Sequence, residues 1–284
     1  MHSPSTPAGA AGSAAASRSG VSNLWSRLLV AAVGLPFVLG ILYLGGWWLV
    51  LLALAAGLIA LHEFYSIARP LRPLVLAGYL GLILGLIGAK TGGLDWMLGG
   101  FLATFLFAFV LFGIAETRAP ATAALGVTVL GAAWIGLGLG HLLLLRDLPD
   151  HGRLAVLTVV VAVFAGDTAA YAAGRLLGRH RMAPTLSPGK TWEGLVAGTA
   201  VTIFVTFIAF YKQHFLSIPE SIALGAALAV AAPIGDLFES ALKRDLNVKD
   251  TGRLLAGHGG MLDRIDAQLF AAIAAYYVIR ALWP

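Results

Sequence analysis

The chain contains no cysteine, which excludes disulfide bonds and catalysis by a thiolate. It is also poor in charge, because Asp, Glu, Lys and Arg make up 12% of its 284 residues, against about 25% in soluble chains. Hydrophobic residues make up 59%, and the mean hydropathy of +0.86 excludes an ordinary soluble domain. No internal repeat is visible, which disfavours a transporter built from inverted repeats.

Long apolar stretches fill most of the chain. Each is about 20 residues long, enough for a helix to cross a hydrocarbon core of about 30 Å. A transmembrane β-barrel would show alternating segments of about 10 residues instead. We therefore predict an all-α fold, a polytopic integral membrane protein with about nine transmembrane helices. The predicted spans are 28–45, 47–67, 73–90, 96–115, 121–145, 154–175, 193–212, 219–238 and 265–283.

The chain divides into three regions. Residues 1–22, which are mostly Ser, Ala, Gly and Pro, are predicted to form a disordered N-terminal tail. This tail lacks the basic start and short apolar core of a cleavable signal. Residues 23–150 are predicted to hold the N-terminal transmembrane helices. Residues 151–284 are predicted to form a C-terminal catalytic region of spans and cytoplasmic loops.

The distribution of Lys and Arg predicts the orientation. With the N-terminus in the cytoplasm, alternate loops place 14 of the nineteen basic residues on the cytoplasmic side and 5 on the other. Cytoplasmic loops normally carry this excess. We therefore expect an integral protein of the cell (inner) membrane. Its two long polar loops, 175–192 and 239–264, then face the cytoplasm.

Charge is concentrated in residues 236–266. This stretch holds five of the nineteen Lys and Arg and six of the fourteen Asp and Glu. Asp236, Ser240 and Lys243 are spaced i, i+4 and i+7, which places them on one helical face. A carboxylate within a span usually faces a polar cavity. An interfacial Asp236 paired with a nearby basic residue is the alternative.

Asp263 and Asp266 add two carboxylates at the start of the last span, where their i, i+3 spacing gives them a common face. Carboxylates from two adjacent spans can thus converge, and carboxylate oxygens are ligands that Mg²⁺ prefers. Acids mixed with basic residues suit a metal–phosphate site, in which Lys and Arg offset phosphate charge. A solvated, salt-bridged loop is the alternative. The neighbouring basic residues are Lys243, Arg244, Lys249, Arg253 and Arg264.

The tetrapeptide Gly257-His258-Gly259-Gly260 lies just before these acids. Glycines permit tight turns and close backbone approach to a ligand. Backbone amides there can cradle phosphate oxygens. An ordinary glycine turn is equally compatible with the pattern.

A second polar cluster begins at Asp167. Asp167, Tyr171 and Arg175 lie close to one helical face that runs to the predicted cytoplasmic end. A hydrogen bond from Asp167 to a neighbouring helix is the alternative. Three further polar groups, His62, Glu63 and His141, lie within predicted spans. They either line the same cavity or pair with one another or with neighbouring helices, and we assign them no catalytic role.

The loop after this cluster contains Gly189-Lys190-Thr191, which looks like the end of a P-loop. We reject that interpretation, because Pro184 stands where a glycine is needed and no preceding strand is predicted. The loop can still contact a nucleotide through its Ser, Lys and Thr side chains. Trp192 is equally well explained as an interfacial anchor.

Together these residues resemble the signature of phosphatidate cytidylyltransferases, also called CDP-diacylglycerol synthases. Ala256 and Gly189 depart from the family pattern, which usually has Pro or Gly at the first position and often a second Lys at the other. Neither departure removes a carboxylate. The matching segments are Ser240-Ala241-Leu242-Lys243-Arg244, Lys249-Asp250, Gly252, Leu255, His258-Gly259-Gly260, Asp263-Arg264-Ile265-Asp266, Asp167–Tyr171, Ser187–Gly194 and Gly235–Leu237.

The resemblance implies that CTP and phosphatidic acid give CDP-diacylglycerol and pyrophosphate, a step of phospholipid biosynthesis. It implies Mg²⁺, leaves a second cation such as K⁺ open, and implies no nucleic-acid partner. Our hypothesis is that Asp236 and Asp263 bind the Mg²⁺ ion. A homodimer stays open. The expected catalytic residues are Asp236, Lys243, Asp263 and Asp266. The expected substrate-binding residues are Asp167, Tyr171, Ser187, Lys190, Thr191, Ser240, Arg244, Lys249, Asp250, His258, Gly259, Gly260 and Arg264.

Two alternatives stay open at this point. Another CTP-dependent lipid enzyme, such as a polyprenol or phytol kinase or a CDP-archaeol synthase, would share the general design. A transporter would need charges near the bilayer midplane, whereas most carboxylates here lie at span ends.

Overall fold

The secondary structure is mainly helical, with one β-hairpin and short connecting loops, in the parts of the chain that the computed structural model describes, 33–114, 120–252 and 259–283. This confirms the predicted all-α class. The predicted tail and the start of the first predicted span lie outside those ranges. The helices are α1 Val33–Leu44, α2 Gly46–Ile67, α3 Val75–Ile114, α4 Ala121–Arg146, α5 Gly152–Leu177, α6 Trp192–Phe210, α7 Ile218–Asp245 and α8 Leu262–Leu282, with a 3-10 turn at Arg69–Leu71.

Seven of the described helices, α2 to α8, are long and apolar enough to cross a membrane. One of them, α3, covers two predicted spans. Its backbone is non-helical at Gly93, where φ is 69°, a conformation that glycine adopts without a steric penalty. Beyond this break the chain doubles back, because Gly85 on the first arm packs directly against Phe101 on the second. The count of nine stays a prediction, since α1 is short as described.

Three loops meet at one end of the helices. The Arg146 guanidinium donates hydrogen bonds of 2.9 Å to the carbonyl oxygens of both Leu42 and Tyr43, at the end of α1. The Lys90 ammonium forms an ion pair of 2.9 Å with Asp147. All three segments were predicted to lie on the non-cytoplasmic side. Their meeting is what the predicted alternation of spans requires.

The two polar loops meet at the opposite end. The Arg244 Nε atom at the end of α7 donates a hydrogen bond of 3.3 Å to the carbonyl oxygen of Leu186 in the loop after α5. Loops 175–192 and 239–264 therefore lie on the same side of the molecule, as expected. Which end faces the cytoplasm stays a prediction.

The loop after α5 contains a β-hairpin that the sequence analysis did not predict. Strands β1 (Arg181–Ala183) and β2 (Ser187–Thr191) pair in an antiparallel manner. The expectation that no strand lies near the Gly-Lys-Thr segment is therefore wrong. The P-loop is still rejected, because β2 contains this segment instead of preceding it, and the segment leads directly into α6.

Small residues bring the site helices close together. A Cβ atom on Gly235 of α7 would lie 2.7 Å from the Asp266 carbonyl oxygen of α8, so only glycine fits there. Gly166 of α5 and Gly198 of α6 make a similar close contact. Small residues at such crossings are typical of packed transmembrane helices. The contact at Gly235 places the acids of α7 beside those of α8.

Candidate active site

A cavity of about 1310 Å³ opens between α5, the β-hairpin, α7 and α8. It joins the two polar segments that the sequence singled out. The cavity is lined by both acidic and basic side chains. The predicted site residues that line it are Asp167, Tyr171, Ser187, Lys190, Thr191, Asp236, Lys243, Asp250, Gly259, Asp263, Arg264 and Asp266.

Three carboxylates form a compact group in this cavity, which we call the acid trio: Asp236, Glu239 and Asp266. One oxygen from each lies within 4.8 Å of the others. Glu239 and Asp266 are only 2% and 7% exposed. Buried charges must be paired or must coordinate metal, so the trio needs positive charge.

Lys190 supplies part of that charge from the hairpin. Its ammonium forms an ion pair of 2.7 Å with Asp236. Thr191, the next residue, caps α6 by accepting a hydrogen bond of 3.1 Å from the Gly194 amide. The strand thus ends at a fixed helix start, and Lys190 is directed at the acids from there.

Lys243 supplies the second positive charge, from α7. Its ammonium donates to Glu239 and to Asp263, at 2.9 Å each. The other oxygen of Asp263 accepts hydrogen bonds from the Gly260 amide at 2.7 Å and the Thr251 amide at 3.3 Å. Asp263 therefore lies beside the acid trio, bound to Lys243 and to the loop backbone.

The trio fits a divalent cation. Glu239 Oε1 is buried and has no hydrogen-bond partner among the residues that the structure describes. The donor atoms are all carboxylate oxygens, which Mg²⁺ and Ca²⁺ prefer over softer metals. The predicted metal pair, Asp236 and Asp263, stays a prediction, because the structure groups Asp236 with Glu239 and Asp266.

The α5 wall of the cavity carries the second predicted cluster. Asp167, Tyr171 and Arg175 all line the cavity from one helical face, as their spacing indicated. The Arg175 guanidinium donates a hydrogen bond of 3.1 Å to the Tyr171 hydroxyl. Both side chains are exposed at the rim, where they can meet an incoming anionic ligand.

Four predicted site residues do not line the described cavity wall. Arg244 and Lys249 are exposed and Ser240 is half-buried, while Gly260 is buried and donates its amide to Asp263. Arg244 instead fastens the hairpin through the Leu186 carbonyl. His258 and Arg253 lie outside the described residues.

Sequence reasoning missed Glu239. It stands three residues after Asp236 on the same helical face, so the spacing that paired Asp263 with Asp266 would have found it. Of the three polar groups left open, Glu63 of α2 pairs with a neighbouring element, because it accepts hydrogen bonds from the Met261 and Leu262 amides at the start of α8. His62 pairs with the Tyr79 hydroxyl and His141 with the Leu137 carbonyl, at 2.9 and 2.8 Å.

Fold and site together define a class: an all-α membrane protein with an acidic, lysine-bearing cavity suited to phosphates at one end of its helices. The chain belongs to the cytidylyltransferase family, whose model matches residues 25–282. It is therefore a nucleotidyltransferase. This confirms the family that the signature predicted.

Two named relatives are similar over most of their length, and a third is similar over a shorter part. A phosphatidate cytidylyltransferase of Mycobacterium bovis is 32% identical over 276 residues, which cover 88% of this chain and 86% of that protein. One of Staphylococcus haemolyticus is 32% identical, covering 86% of this chain and 94% of that protein. One of Haemophilus influenzae is 42% identical over a shorter match of 130 residues, 44% of this chain and 45% of that protein.

Proposed function

We propose that the chain transfers the cytidylyl group of CTP to phosphatidic acid, giving CDP-diacylglycerol and pyrophosphate. Relatives of nearly equal length carry this activity in their names. The observation that carries the proposal is the single cavity in which Lys190 and Lys243 meet the acid trio at the end of the membrane spans. The excess of Lys and Arg supports a site on the cytoplasmic face of the cell membrane.

Asp236, Glu239 and Asp266 would hold Mg²⁺ in this site. When bound, Mg²⁺ supplies positive charge to the triphosphate oxygens. Asp263, the other metal ligand predicted from the sequence, lies beside the trio and is bound to Lys243 and to the Gly260 and Thr251 amides. K⁺ stays a candidate second cation.

The two lysines are placed to stabilise the charge of the reaction. A phosphate oxygen of phosphatidic acid attacks the α-phosphorus of CTP, and the bond from that phosphorus to the bridging oxygen breaks, which releases pyrophosphate. The attacking phosphate is already ionised near neutral pH and needs no base. Ammonium groups fixed in a partly buried site stabilise developing charge more strongly than water does.

The cavity also has an apolar wall, which suits the lipid substrate. Phe164, Leu195, Pro233 and Ala267 line it beside the acids. A lipid phosphate needs both kinds of surface, because its head group is anionic and its chains are apolar. The same cavity thus offers positive charge to the phosphate and apolar contact to the chains.

An assay of the purified protein tests the proposal. The protein is incubated with CTP labelled at the α-phosphorus, phosphatidic acid and MgCl₂. We expect a labelled liponucleotide and release of pyrophosphate, and no product from Asp236→Asn. Phytol, a polyprenol and an archaeal ether-lipid phosphate replace phosphatidic acid in parallel reactions. A kinase would transfer the γ-phosphate to phytol or the polyprenol, so turnover of these alcohols is measured as labelled CDP. Turnover of one of these with none of phosphatidic acid would replace this function by that of another CTP-dependent lipid enzyme.

A further inference from the structure

Glu63 is a buried carboxylate of α2 that the proposed mechanism does not use. It is 6% exposed. Its Oε1 atom accepts a hydrogen bond from the Met261 amide, and Oε2 accepts one from the Leu262 amide, both at 3.0 Å. The Thr251 hydroxyl donates to Oε2 at 3.4 Å. One side chain from the N-terminal half therefore holds a loop of the C-terminal half at both of its described ends.

The bonds to Met261 and Leu262 satisfy the start of α8. The first amides of a helix have no partner within the helix. A carboxylate at that position is favoured by the helix dipole as well as by the hydrogen bonds. Glu63 thus fixes the axial position at which α8 begins.

Two glycines allow this close approach. A Cβ atom on Gly260 would lie 2.5 Å from Glu63 Oε2, and one on Gly252 would collide with Glu63 Oε1. Neither glycine has a positive φ. Lack of space therefore requires glycine: beside Glu63 at both positions, and also beside the Thr251 hydroxyl at Gly260. The loop ends are therefore shaped around this carboxylate.

Two acids of the site lie within the first turns of α8, close to the amides that Glu63 binds. Asp263 is the residue after Leu262, and Asp266 lies one turn further along α8 within the acid trio. Asp263 holds the same loop from the other side, through the Gly260 and Thr251 amides. A shift of the start of α8 would carry both acids with it.

We infer that Glu63 is a positioning residue: it clamps the loop ends at Thr251–Gly252 and Gly260–Leu262, and so sets where Asp263 and Asp266 stand in the site. The inference rests on the proposed function for its effect on turnover. The clamp itself is a structural statement that can be measured separately. Through Glu63, the N-terminal half of the chain would position acids of the active site.

Glu63→Gln tests the clamp with little change in shape. A glutamine offers one acceptor oxygen, and its NH₂ group faces the second amide of the pair. We expect faster hydrogen exchange of the amides of residues 260–263, measured by mass spectrometry, with unchanged exchange in α5 and α6. We expect kcat to fall about 100-fold, as it does when catalytic groups are misplaced by about 1 Å. We also expect the Mg²⁺ concentration for half-maximal rate to rise. The KM for phosphatidic acid should stay unchanged.

His62→Gln is the matched control, because His62 is the neighbouring residue and contacts Tyr79 away from the loop. It should match the parent protein in exchange and in kcat. A second test uses Gly252→Ala alone and with Glu63→Asp. The shorter Asp leaves room for the added methyl group, so the double variant should lose less activity than the product of the two single losses.

Two results would overturn the inference. One is hydrogen exchange and kcat in Glu63→Gln that equal those of the parent protein. The other is faster hydrogen exchange spread evenly over all helices, which would mean a general loss of stability. Failure of the proposed function looks different. A parent protein that makes no liponucleotide would refute that function, while the exchange of residues 260–263 would still decide whether Glu63 holds the loop.

Discussion

The Lys190 ammonium and the Asp236 carboxylate form an ion pair of 2.7 Å that joins the β-hairpin to α7. The pair brings the positively charged end of a long lysine side chain into contact with the acid trio. A nucleotide phosphate entering the cavity offers this lysine a second anionic partner. The contact therefore joins the polar loop 175–192 to the acids of α7 in one site.

Lys190→Ala should lower kcat/KM for CTP about 100-fold, the usual cost of removing one charge-stabilising donor from an active site. The reason is the loss of one of two ammonium groups that face the acids. Initial rates at varied CTP concentration measure the effect. Lys212→Ala, at the opposite end of the helices, is the control and should be unchanged. Equal kcat/KM in both variants would contradict the role of Lys190.

Glu239→Gln should abolish turnover as completely as Asp236→Asn does, if the acid trio holds the metal. The isosteric amide keeps the shape but removes the charge that binds a cation. Labelled-CTP turnover and the Mg²⁺ concentration for half-maximal rate are the two measurements. Near-normal turnover in Glu239→Gln, together with none in Asp263→Asn, would contradict the acid trio and support Asp236 and Asp263 as the metal ligands.

Removal of divalent cations should stop the reaction. We expect EDTA to abolish liponucleotide synthesis and added Mg²⁺ to restore it, because the buried acids otherwise repel the triphosphate. Thermal unfolding of the purified protein gives an independent readout: Mg²⁺ with CTP should raise the Tm of the parent protein, since a ligand of the folded state stabilises it. Asp266→Asn should show a smaller rise. Full activity in EDTA would contradict the metal proposal.

Single cysteines can map the topology without background, because the chain has none of its own. Arg181→Cys and Lys249→Cys should react with an impermeant maleimide added from the cytoplasmic side, in inverted vesicles. Lys212→Cys should react from the other side, in intact cells. All three positions are exposed. Labelling of positions 181 and 249 from opposite sides would exclude a shared cytoplasmic site.

Parts of the site could be predicted because their evidence is local. Asp263 and Asp266 share a face through helical periodicity alone, and both line the cavity. Glu239 could have been predicted in the same way, because it lies three residues after Asp236 on the same helical face. The hairpin could not be predicted, because a strand of three residues such as Arg181–Ala183 shows no alternation over a useful length.

The reversal of α3 shows a second limit. The sequence predicts two spans there, at 73–90 and 96–115, but hydropathy does not say whether the arms touch. The structure shows Gly85 packed on Phe101 across the turn at Gly93. Helix packing depends on which surfaces fit, and this is not a property of either segment alone.

By itself the sequence determined the membrane class, the approximate spans, the shared end of the two polar loops and the family, because hydropathy, charge and a long signature are read along the chain. Only the tertiary structure decided that Asp236, Glu239 and Asp266 form one group, that Lys190 reaches Asp236 and that Glu63 holds the start of α8. Apart from the neighbours Asp236 and Glu239, those contacts join residues far apart in sequence, and their distances depend on how helices such as α7 and α8 pack at Gly235.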